Sequence, residues 1–494
     1  MITDPPLVTA VLAQPPITQD PWQFRLTAEP HPDATPLGDY WFSKGPDLPV
    51  VHVCDDHGRP AGVILGFAIE LDNQAFLAGR WTLPAGAKPE TDAGVQQTLR
   101  ALAGRFLWIC LAGDRARIYP DSAAQVSCVW QTESRSAGTT AHAILSDADY
   151  AARFHHTAFE QLDKASRGWF VAGLTAHSGV LRLLPNHYLD LTNWSAHRIP
   201  QPLKERRHQD PNGIVEEMIA TVQSQIAAAV ASDKTPVIAL TAGYESRAIL
   251  ACARPWLDRI TFMTLSGEDR QRTDGLVARR IAEAHGLRHA IVPSKTADVD
   301  QQRRYLRRAG HAAIDSNVRL HPSCHDLPEN SLLIGGLGGD LWRAPLAADT
   351  DGSHTVITPQ LLMNRLGLKM TNTSQRFLQR WLDTAPALPP SELLALAYRE
   401  LQLAPWAMAQ FCADPTTPRL APFLTHRSMN LIQSVPQQWR DSNDLSREII
   451  QRLWVALDRF PYNTLGPQRS LFGNRSPVQT MPNATFAALK KRRA

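Results

Sequence analysis

The sequence predicts an α+β chain in two parts, an N-terminal antiparallel β-sandwich followed by an α/β domain with a doubly wound parallel sheet and a helical C-terminal extension. Up to about residue 200, short apolar segments rich in β-branched and aromatic residues are bounded by turn residues. From residue 213 onward, near-continuous apolar runs alternate with segments of helical periodicity. The length of 494 residues agrees, because it suffices for roughly two to four domains.

The N-terminal part contains six segments with the composition of strands. They are VVHVCDDHG (50–58), GVILGFAIEL (62–71), RFLWICLAG (105–113), RARIYPD (115–121), QVSCVW (125–130) and GVLRLLPNHYLDLT (179–192). The charged, proline-containing stretch IPQPLKERRHQDPNG follows at 199–213 and has no periodicity. We therefore predict a first domain over 1–200, a linker over 201–212 and a second domain over 213–494.

The second part alternates helices and strands. Helical periodicity covers 213–232, and the buried strand PVIAL (236–240) runs into a helix that includes SRAILACARPW (246–256). The next strand is RITFMTLSG (259–267), followed by a helix opened by Thr273 or Asp274 and closed by Gly286, and then by the strand HAIVP (289–293). Residues 358–460 are mostly helical by periodicity.

The composition is that of an ordinary globular protein. Lys and Arg total 51 against 47 for Asp and Glu, a formal net charge of +4, which does not favour non-specific binding of nucleic acid. Prolines interrupt the apolar stretches near the N-terminus, and no apolar run approaches the length of a membrane span. We expect a cytoplasmic protein without membrane insertion or a nucleic-acid partner, whose six scattered cysteines are buried, reduced thiols.

The loop after the first parallel strand is the first candidate site, because ligands of such sheets bind at the carboxyl ends of the strands. Its sequence LTAGYESR (240–247) passes directly into a helix and carries the hydroxyls of Thr241 and Ser246. Backbone N–H groups, hydroxyls and the helix dipole together suit an anion. An ordinary strand-to-helix turn has a similar composition, so the loop alone does not establish a phosphate site.

Four segments in order resemble the asparagine synthetase-like ATP pyrophosphatases. LTAGYESR is similar to their pyrophosphate loop SGGxDS, and TFMTLSGEDRQRTDGLVARRIAEAHGLRH (261–289) resembles their second strand, an acidic residue (here Asp274) and the helix after it. LIGGLGGDLW (333–342) resembles SGxGADELF, and LAPFLTHRSMNLIQSVP (420–436) resembles PFLDxRLVExAxxLP. This resemblance implies an ATP pyrophosphatase domain over the second part of the chain.

The N-terminal part resembles the class II glutamine amidotransferase domain of the same family, which has an Ntn-hydrolase-like fold. Its Gly-x-Phe strand and the Asp in the following turn correspond to Gly104, Phe106 and Asp121. Its L-x-PGH segment corresponds to LLPNH, which begins at Leu183 and ends at His187. The resemblance therefore extends over nearly the whole chain.

The nucleophile of that glutaminase is missing. A cysteine directly after the initiator methionine would attack the glutamine amide, but this chain has Ile2 and Thr3 there, and its first cysteine is Cys54. We therefore expect a catalytically silent N-terminal domain and an amine acceptor other than glutamine-derived ammonia. Family members with silent glutaminase domains include β-lactam synthetases and lasso-peptide cyclases.

The resemblance also implies the reaction and its site. In the family, a substrate carboxylate attacks the α-phosphorus of ATP to give an acyl-adenylate and pyrophosphate, and an amine then forms the amide. ATP and Mg²⁺ are the implied cofactors. Pyrophosphate would bind at Thr241, Ala242, Gly243, Tyr244, Ser246, Gly338 and Gly339. Backbone near Leu240 and Met263 would meet the adenine, and Asp340 and Glu245 would hold Mg²⁺ as catalytic carboxylates.

A cationic residue is also expected in the C-terminal helical part. NDLSREIIQRLW (443–454) occupies the place of the family's KxxLR segment but has no lysine. Arg447 is the nearby cation, and we consider it as the third catalytic residue. An exposed helix arginine without a catalytic role is the alternative.

Three departures from the family motifs bear on activity. Ala242 replaces the first loop glycine, which would cost on the order of 1 kcal/mol if the position needs a positive φ. Glu245 replaces the loop aspartate, and Leu341 replaces the Glu that follows the aspartate of the third segment. A non-catalytic scaffold or regulatory homologue is therefore the main alternative to a ligase.

The sequence thus predicts an AMP-forming ligase that joins a small-molecule or peptide carboxylate to an amine acceptor. An ammonia-dependent asparagine synthetase is a further alternative. A homodimer or an association with a pathway partner is the further expectation for such a chain.

Overall fold

The computed structural model describes residues 21–163, 168–200, 210–267, 269–314, 316–343, 345–346, 355–413, 417–435, 439 and 445–463. Ile2 and Thr3 lie outside these ranges, as does nearly all of the predicted linker at 201–212.

The N-terminal part is built from short strands. They are β1 (Phe24–Thr27), β2 (Thr35–Leu37), β3 (Tyr40–Lys44), β4 (Val50–Cys54), β5 (Pro60–Glu70), β6 (Ala75–Phe76), β7 (Arg80–Thr82), β8 (Leu102–Ala112), β9 (Arg115–Pro120), β10 (Val129–Gln131), β11 (Ser136–Gly138), β12 (Gly168–Trp169), β13 (Leu181–Arg182), β14 (His187–Asp190) and β15 (Ser195–Arg198). Each of the six predicted segments contains a strand.

All of these strands except β12 form two sheets. The six-stranded sheet has the order β13-β10-β11-β1-β3-β2, and the eight-stranded sheet has the order β15-β14-β9-β8-β5-β4-β7 with β6 paired to β5. Neighbouring strands are antiparallel apart from β4 and β7, which run parallel. Four short helices accompany the sheets: α1 (Asp92–Ala101), α2 (Ala141–Ile144), α3 (Asp147–Arg153) and α4 (His156–Asp163).

The two sheets pack against each other through a shared apolar core. Leu26 and Trp130 enter it from the six-stranded sheet, and Leu65, Leu107 and Ile109 enter it from the eight-stranded sheet. Alternating side chains of one strand reach opposite faces, which is why these apolar residues collect on the inner faces. The arrangement agrees with an antiparallel sandwich, while the Ntn-hydrolase-like classification stays a prediction.

The Gly-x-Phe strand and its aspartate come together in this part. Gly104 lies on β8 with φ +106°, and a Cβ there would lie 2.5 Å from the carbonyl oxygen of Phe67 on β5. A side chain is therefore excluded by both conformation and space. The carboxylate of Asp121 accepts hydrogen bonds from the backbone N–H groups of Ala123 (3.0 Å) and Gln125 (3.0 Å), with a longer contact from Phe106 N (3.4 Å).

The second part begins with a long helix, α5 (Pro211–Ala231), whose N-cap Asp210 accepts a hydrogen bond from Asn212 N. A parallel sheet follows, with strands β16 (Thr235–Ala239), β17 (Thr261–Ser266), β18 (His289–Pro293), β20 (Ser331–Ile334) and β21 (Arg419–Leu420) in the order β18-β17-β16-β20-β21. β19 (Ala313–Ile314) lies outside this sheet and pairs with β12. β21 was not predicted, because two residues carry no periodicity.

Both faces of the parallel sheet are buried. Val237 and Met263 point into one apolar cluster, whereas their neighbours Ile238 and Phe262 point into another. This double burial explains why the strands appear as continuous apolar runs in the sequence. The predicted α/β parallel-sheet domain is confirmed.

Helices connect and cover the sheet. They are α6 (Tyr244–Cys252), α7 (Asp269–His285), α8 (Val299–Arg308), α9 (Ser316–Leu320), α10 (Pro359–Leu366), α11 (Asn372–Thr384), α12 (Pro390–Ala397), α13 (Ala404–Ala413), α14 (His426–Ser434) and α15 (Leu445–Trp454). A π-helical turn, Tyr398–Leu403, joins α12 to α13. The predicted helical character of 358–460 is confirmed in the residues that the structure describes there.

The predicted start of α7 at Thr273 or Asp274 was wrong. The helix begins at Asp269, because the residues from Asp269 to Arg272 already have helical backbone. It ends at His285, directly before Gly286. Asp274 lies within the helix, and its carboxylate serves another segment, described below.

A buried ion pair joins the N-terminal strands to the C-terminal helices. Arg198 on β15 donates two hydrogen bonds to the carboxylate of Glu400 in the π-helical turn, at 2.6 and 3.0 Å. Asn186 and Trp381 donate to the same carboxylate, at 2.8 and 2.6 Å. Burial alone would raise the pKa of Glu400, but Arg198 and His187 outweigh it and hold that pKa below its usual value.

Other expectations are also met in the described residues. All six cysteines are buried free thiols, and burial raises the pKa of Cys110 to about 12. None of the helices described is both long and apolar enough to cross a membrane.

Candidate functional site

The predicted anion loop lies between β16 and α6, at the carboxyl edge of the parallel sheet. The hydroxyls of Thr241 and Ser246 lie 2.9 Å apart, and Thr241 N donates to Ser246 Oγ at 3.1 Å. Gly243 N donates to Thr241 Oγ1 at 3.1 Å. The residue Gly243 is the N-cap of α6, and this helix has no side-chain capping hydrogen bond among the described residues. The first N–H groups of this helix are therefore available to an anion.

Ala242 does not strain the loop. Its φ is not among the positive values of the chain, so the cost considered for replacing a glycine does not arise. Its side chain is buried, and its N–H donates to Asp274 Oδ1 at 2.8 Å. Asp274 thus fixes the loop from α7, which accounts for an acidic residue at this place in the sequence.

The glycine-rich turn after β20 lies directly against the loop. A Cβ on Gly339 would lie 2.5 Å from Glu245 Cγ, and one on Gly336 would lie 2.7 Å from Glu245 Cβ. Glycines therefore permit the close approach that brings the segment containing Gly338, Gly339 and Asp340 to the N-terminus of α6. The structure brings these predicted residues together as the motifs implied.

Each of the two candidate metal-binding carboxylates already has a partner. The Tyr398 hydroxyl donates to Asp340 Oδ2, and Arg343 forms an ion pair with Glu245. In the described residues, no group of three or more His, Cys, Asp and Glu is placed to hold a metal ion. Mg²⁺ usually takes one or two protein carboxylates together with substrate phosphates, so these two residues fit it as a donor set.

The backbone groups expected at the adenine are engaged within the sheet. Leu240 N donates to Met263 O at 2.8 Å, and Leu240 O accepts from the Thr264 hydroxyl at 2.6 Å. That hydroxyl also lies 2.8 Å from His289 Nε2. Leu240 and Met263 are therefore adjacent at the predicted place, and their role toward a nucleotide stays a prediction.

Among the described residues, Arg447 is connected to the loop through Asp458 and Tyr462. Its guanidinium pairs with Asp458 at 3.2 Å, which raises the pKa of Arg447. Asp458 Oδ1 in turn accepts from the Tyr462 hydroxyl at 2.8 Å, and the Tyr462 ring stacks on that of Tyr244 with centroids 3.8 Å apart. Arg447 is thus more than half exposed and is held beside the site, and its catalytic role stays untested.

A segment that the sequence did not single out packs over the loop. We call Leu457–Asn463 the C-terminal strap. Asn463 N donates to Ala242 O at 3.0 Å, and the buried guanidinium of Arg247 donates to the same oxygen at 3.0 Å. Arg343, Tyr398 and the strap belong to no family motif considered above. Arg343 directly follows the glycine-rich motif, whereas Tyr398 and the strap reach the site from more distant parts of the chain.

The turn itself gives a sharp prediction. Gly338 has φ +86°, and a Cβ there would lie 2.7 Å from Leu424 Cγ, so Gly338→Ala is expected to lower the free energy of unfolding by about 1 to 3 kcal/mol. Gly335→Ala is the matched control in the same turn, because nothing lies within 4 Å of its Cβ position. Urea denaturation of both variants provides the measurement, and equal losses of stability would contradict the packing argument.

Comparison with known proteins supports the predicted resemblance. Over 268 residues the chain is 29% identical to a carboxyethyl-arginine β-lactam synthase from Streptomyces clavuligerus, a match that covers 50% of this chain and 48% of the relative. The match therefore spans about half the length of this curated relative. No protein-family model matches the chain. The resemblance to the asparagine synthetase-like family, with β-lactam synthetases among its members, is confirmed.

Two solved structures share weak similarity with the chain. An NH₃-dependent NAD synthetase from Campylobacter jejuni subsp. jejuni NCTC 11168 is 16% identical, with 40% of this chain and 94% of that one covered and a TM-score of 0.19. The U34-tRNA thiolase NcsA from Methanococcus maripaludis is 11% identical, with 50% and 80% covered and a TM-score of 0.19. At such TM-scores the activities of these two proteins carry no weight for this chain.

Proposed function

We propose that this chain is an ATP-dependent, AMP-forming ligase that activates a carboxylate as an acyl-adenylate and joins it to an amine. The observation that carries the proposal is the uncapped N-terminus of α6, with the hydroxyls of Thr241 and Ser246 and the neighbouring carboxylates of Glu245 and Asp340. A β-lactam synthase among the relatives supports the same class of reaction.

Such a reaction mainly requires that the negative charge on the departing pyrophosphate be stabilised. The first N–H groups of α6 and the hydroxyls of Thr241 and Ser246 would bind that charge through fixed donors. Arg343, which already lies at Glu245, would add a positive charge beside them. Asp274 would keep the loop in place through Ala242 N, so that little reorganisation accompanies the attack of the carboxylate on the α-phosphorus.

Magnesium would be held by Asp340 and Glu245, where it would neutralise charge shared between the phosphates. Tyr398 would orient the Asp340 carboxylate through its hydroxyl. When the Glu245 carboxylate binds Mg²⁺, Arg343 would leave Glu245 and pair with a phosphate oxygen instead.

The amine would come from a substrate molecule. The resemblance places the glutaminase nucleophile where this chain has Ile2 and Thr3, and Cys54 lies buried at the end of β4. We therefore propose that the N-terminal part has no glutaminase activity. The similarity to a carboxyethyl-arginine β-lactam synthase suggests carboxyethyl-arginine as a first substrate to test, whose own amine would close the amide within one molecule.

A non-catalytic homologue is the competing proposal, and specific contacts favour it. Ala242 N is already bound to Asp274, and Glu245 is already paired with Arg343. A scaffold would keep these contacts and have no use for Mg-ATP. A third possibility, ammonia-dependent asparagine synthesis, predicts AMP formation from aspartate, ammonia and ATP.

Calorimetric titration of Mg-ATP into the purified protein tests the proposal. We expect binding that Asp340→Asn weakens at least about tenfold, because a carboxylate beside the phosphates is lost. Asp233→Asn is the control, since this exposed residue precedes β16 at the opposite edge of the sheet. Binding by neither the wild type nor the variants, repeated with carboxyethyl-arginine and aspartate present, would support the scaffold.

A further inference from the structure

The most unusual group near the anion loop is the guanidinium of Arg247, on the first turn of α6. It is fully buried, and four of its hydrogen bonds go to carbonyl oxygens, with a further side-chain hydrogen bond to Tyr462. Nη1 donates to Phe460 O at 2.8 Å and to Leu457 O at 3.3 Å. Nη2 donates to Ala242 O at 3.0 Å and also to Pro461 O. One side chain therefore binds the loop and the strap at once.

Two further contacts join the same two segments. Asn463 N donates to Ala242 O, and Tyr462 lies between the loop and the arginine, with its ring 3.8 Å from that of Tyr244 and 3.9 Å from the Arg247 guanidinium carbon. Asn463 has φ +53°, so the chain turns sharply where it meets the loop. All these contacts converge on the residues from Ala242 to Tyr244, where the anion would bind.

A buried cation bound mainly by carbonyl dipoles carries a large desolvation cost, so its presence here calls for an explanation. In a trans peptide the carbonyl points away from the next N–H, so Arg247 at Ala242 O lies on the side of this peptide opposite Gly243 N–H. Because Ala242 O accepts from both Arg247 and Asn463, the orientation of the Ala242–Gly243 peptide depends on the strap being in place. The same peptide carries the Gly243 N–H that lies at the N-terminus of α6.

We propose that Arg247 is a positioning residue that couples the anion loop to the C-terminal strap, so that Mg-ATP binding and docking of the strap stabilise each other. The nucleotide half of this inference rests on the proposed function, whereas the coupling of loop and strap does not. Linkage requires that the effect be reciprocal: whatever releases the strap weakens the nucleotide, and the nucleotide protects the strap.

Arg254 provides a control for the loss of a cation at the C-terminal carbonyls. It follows α6, donates to Leu453 O at 2.8 Å and lies over the Trp454 ring at 5.0 Å, so it too binds a C-terminal carbonyl and an aromatic ring. Arg254 is exposed and makes one such hydrogen bond, whereas Arg247 is buried and makes four. Arg254→Gln therefore removes a smaller interaction of the same kind, and Arg247→Gln removes in addition the contact with Ala242 O.

The experiment measures amide hydrogen exchange and Mg-ATP affinity on the full chain. In Arg247→Gln, exchange in both 241–246 and the strap is expected to rise without nucleotide, and Mg-ATP affinity is expected to fall about tenfold or more. Arg254→Gln should leave loop exchange unchanged and Mg-ATP affinity within about twofold. Arg247→Lys retains the charge but loses the fork, so it should not restore strap protection.

A second variant acts from the strap. Asn463→Val places a β-branched residue at a positive φ, which should release the strap and raise loop exchange while leaving Arg247 unchanged. Equal loop exchange in wild type, Arg247→Gln and Asn463→Val would overturn the coupling. Absence of Mg-ATP binding in the wild type would instead overturn the proposed function, and the exchange without nucleotide would still decide the role of Arg247.

Discussion

Arg198→Ala is expected to lower the free energy of unfolding by about 3 to 5 kcal/mol, because it leaves the carboxylate of Glu400 buried without its cation. Glu400 has no exposed side-chain surface, and Arg198 is 14% exposed, so solvent cannot replace the lost partner. Asn186 and Trp381 would still donate to the carboxylate, but neither carries a charge. Chemical denaturation monitored by tryptophan fluorescence measures the loss.

The control for this prediction is an ion pair on the surface. Arg279 and Glu283 lie one turn apart on α7 with a 2.7 Å contact, and Arg279→Ala should cost no more than about 0.5 kcal/mol. Replacing Arg198 and Glu400 together by Met and Gln should recover part of the loss, because no uncompensated charge remains. A loss below 1 kcal/mol for Arg198→Ala would show that water reaches Glu400.

Stability is expected to fall steeply as the pH drops below about 6.5, because several buried or half-buried histidines, three of them around Tyr150, must stay neutral in the folded chain. His142 stacks on Tyr150 with centroids 3.6 Å apart, His177 lies 3.9 Å from the same ring, and His311 Nδ1 is 2.6 Å from the Tyr150 hydroxyl. Burial, reinforced by Arg307, lowers the pKa of His142 and His311 to about 3. Burial, reinforced by the neighbouring histidines, lowers the pKa of His177 to about 2.

The sign follows from linkage. The unfolded chain takes up protons at these histidines near pH 6.5, whereas the folded chain does so only near pH 2 to 3, so acid favours unfolding throughout that window. Once a histidine is protonated in the unfolded chain, it lowers the free energy of unfolding by about 1.4 kcal/mol for each further pH unit of acidification. Urea denaturation at a series of pH values from 7.5 to about 5 measures the slope.

His177→Phe separates this cause from general acid effects. Neither ring nitrogen of His177 has a hydrogen-bond partner in the part of the chain described, so an apolar ring should retain or raise stability at neutral pH. The variant should also show a shallower acid slope than the wild type. His57→Phe, at an exposed position, is the control expected to leave the slope unchanged. An unaltered slope in His177→Phe would contradict the assignment.

Much of the fold was predictable because its signals are local. The strands β5 and β8 and the parallel strands β16 to β18 appear as apolar runs of the right length, and the helix after residue 213 follows from its periodicity. The start of α7 was misplaced because Thr273 and Asp274 have cap chemistry, although the helix continues before them. The strand β21 depends wholly on its partner β20, which lies about ninety residues earlier in the chain.

The candidate site divides in the same way. Thr241, Ser246, Glu245 and Asp340 could be named because they belong to contiguous motifs that tolerate one or two substitutions. Tyr398 and the strap could not, because each enters the site through a tertiary contact with no spacing rule behind it. Arg343 follows the glycine-rich motif directly, but its contact with Glu245 is not part of that motif. An alanine at position 242 would be costly only if the backbone had a positive φ there. The residue type alone does not determine the φ angle, so this could not be settled from the sequence.

The π-helical turn restricts which N-terminal parts could replace that of this protein in a chimera. Three consecutive residues point to three separate regions: Tyr398 to Asp340, Arg399 to the carbonyl of Ser122, and Glu400 to Arg198. Arg399 binds the backbone oxygen of Ser122, so a substitution at position 122 would leave that acceptor in place. Glu400 needs a cationic side chain at position 198. A chimera that takes the N-terminal part from a similar protein should therefore inherit a misfit at Glu400 unless that donor carries an arginine at the position of Arg198.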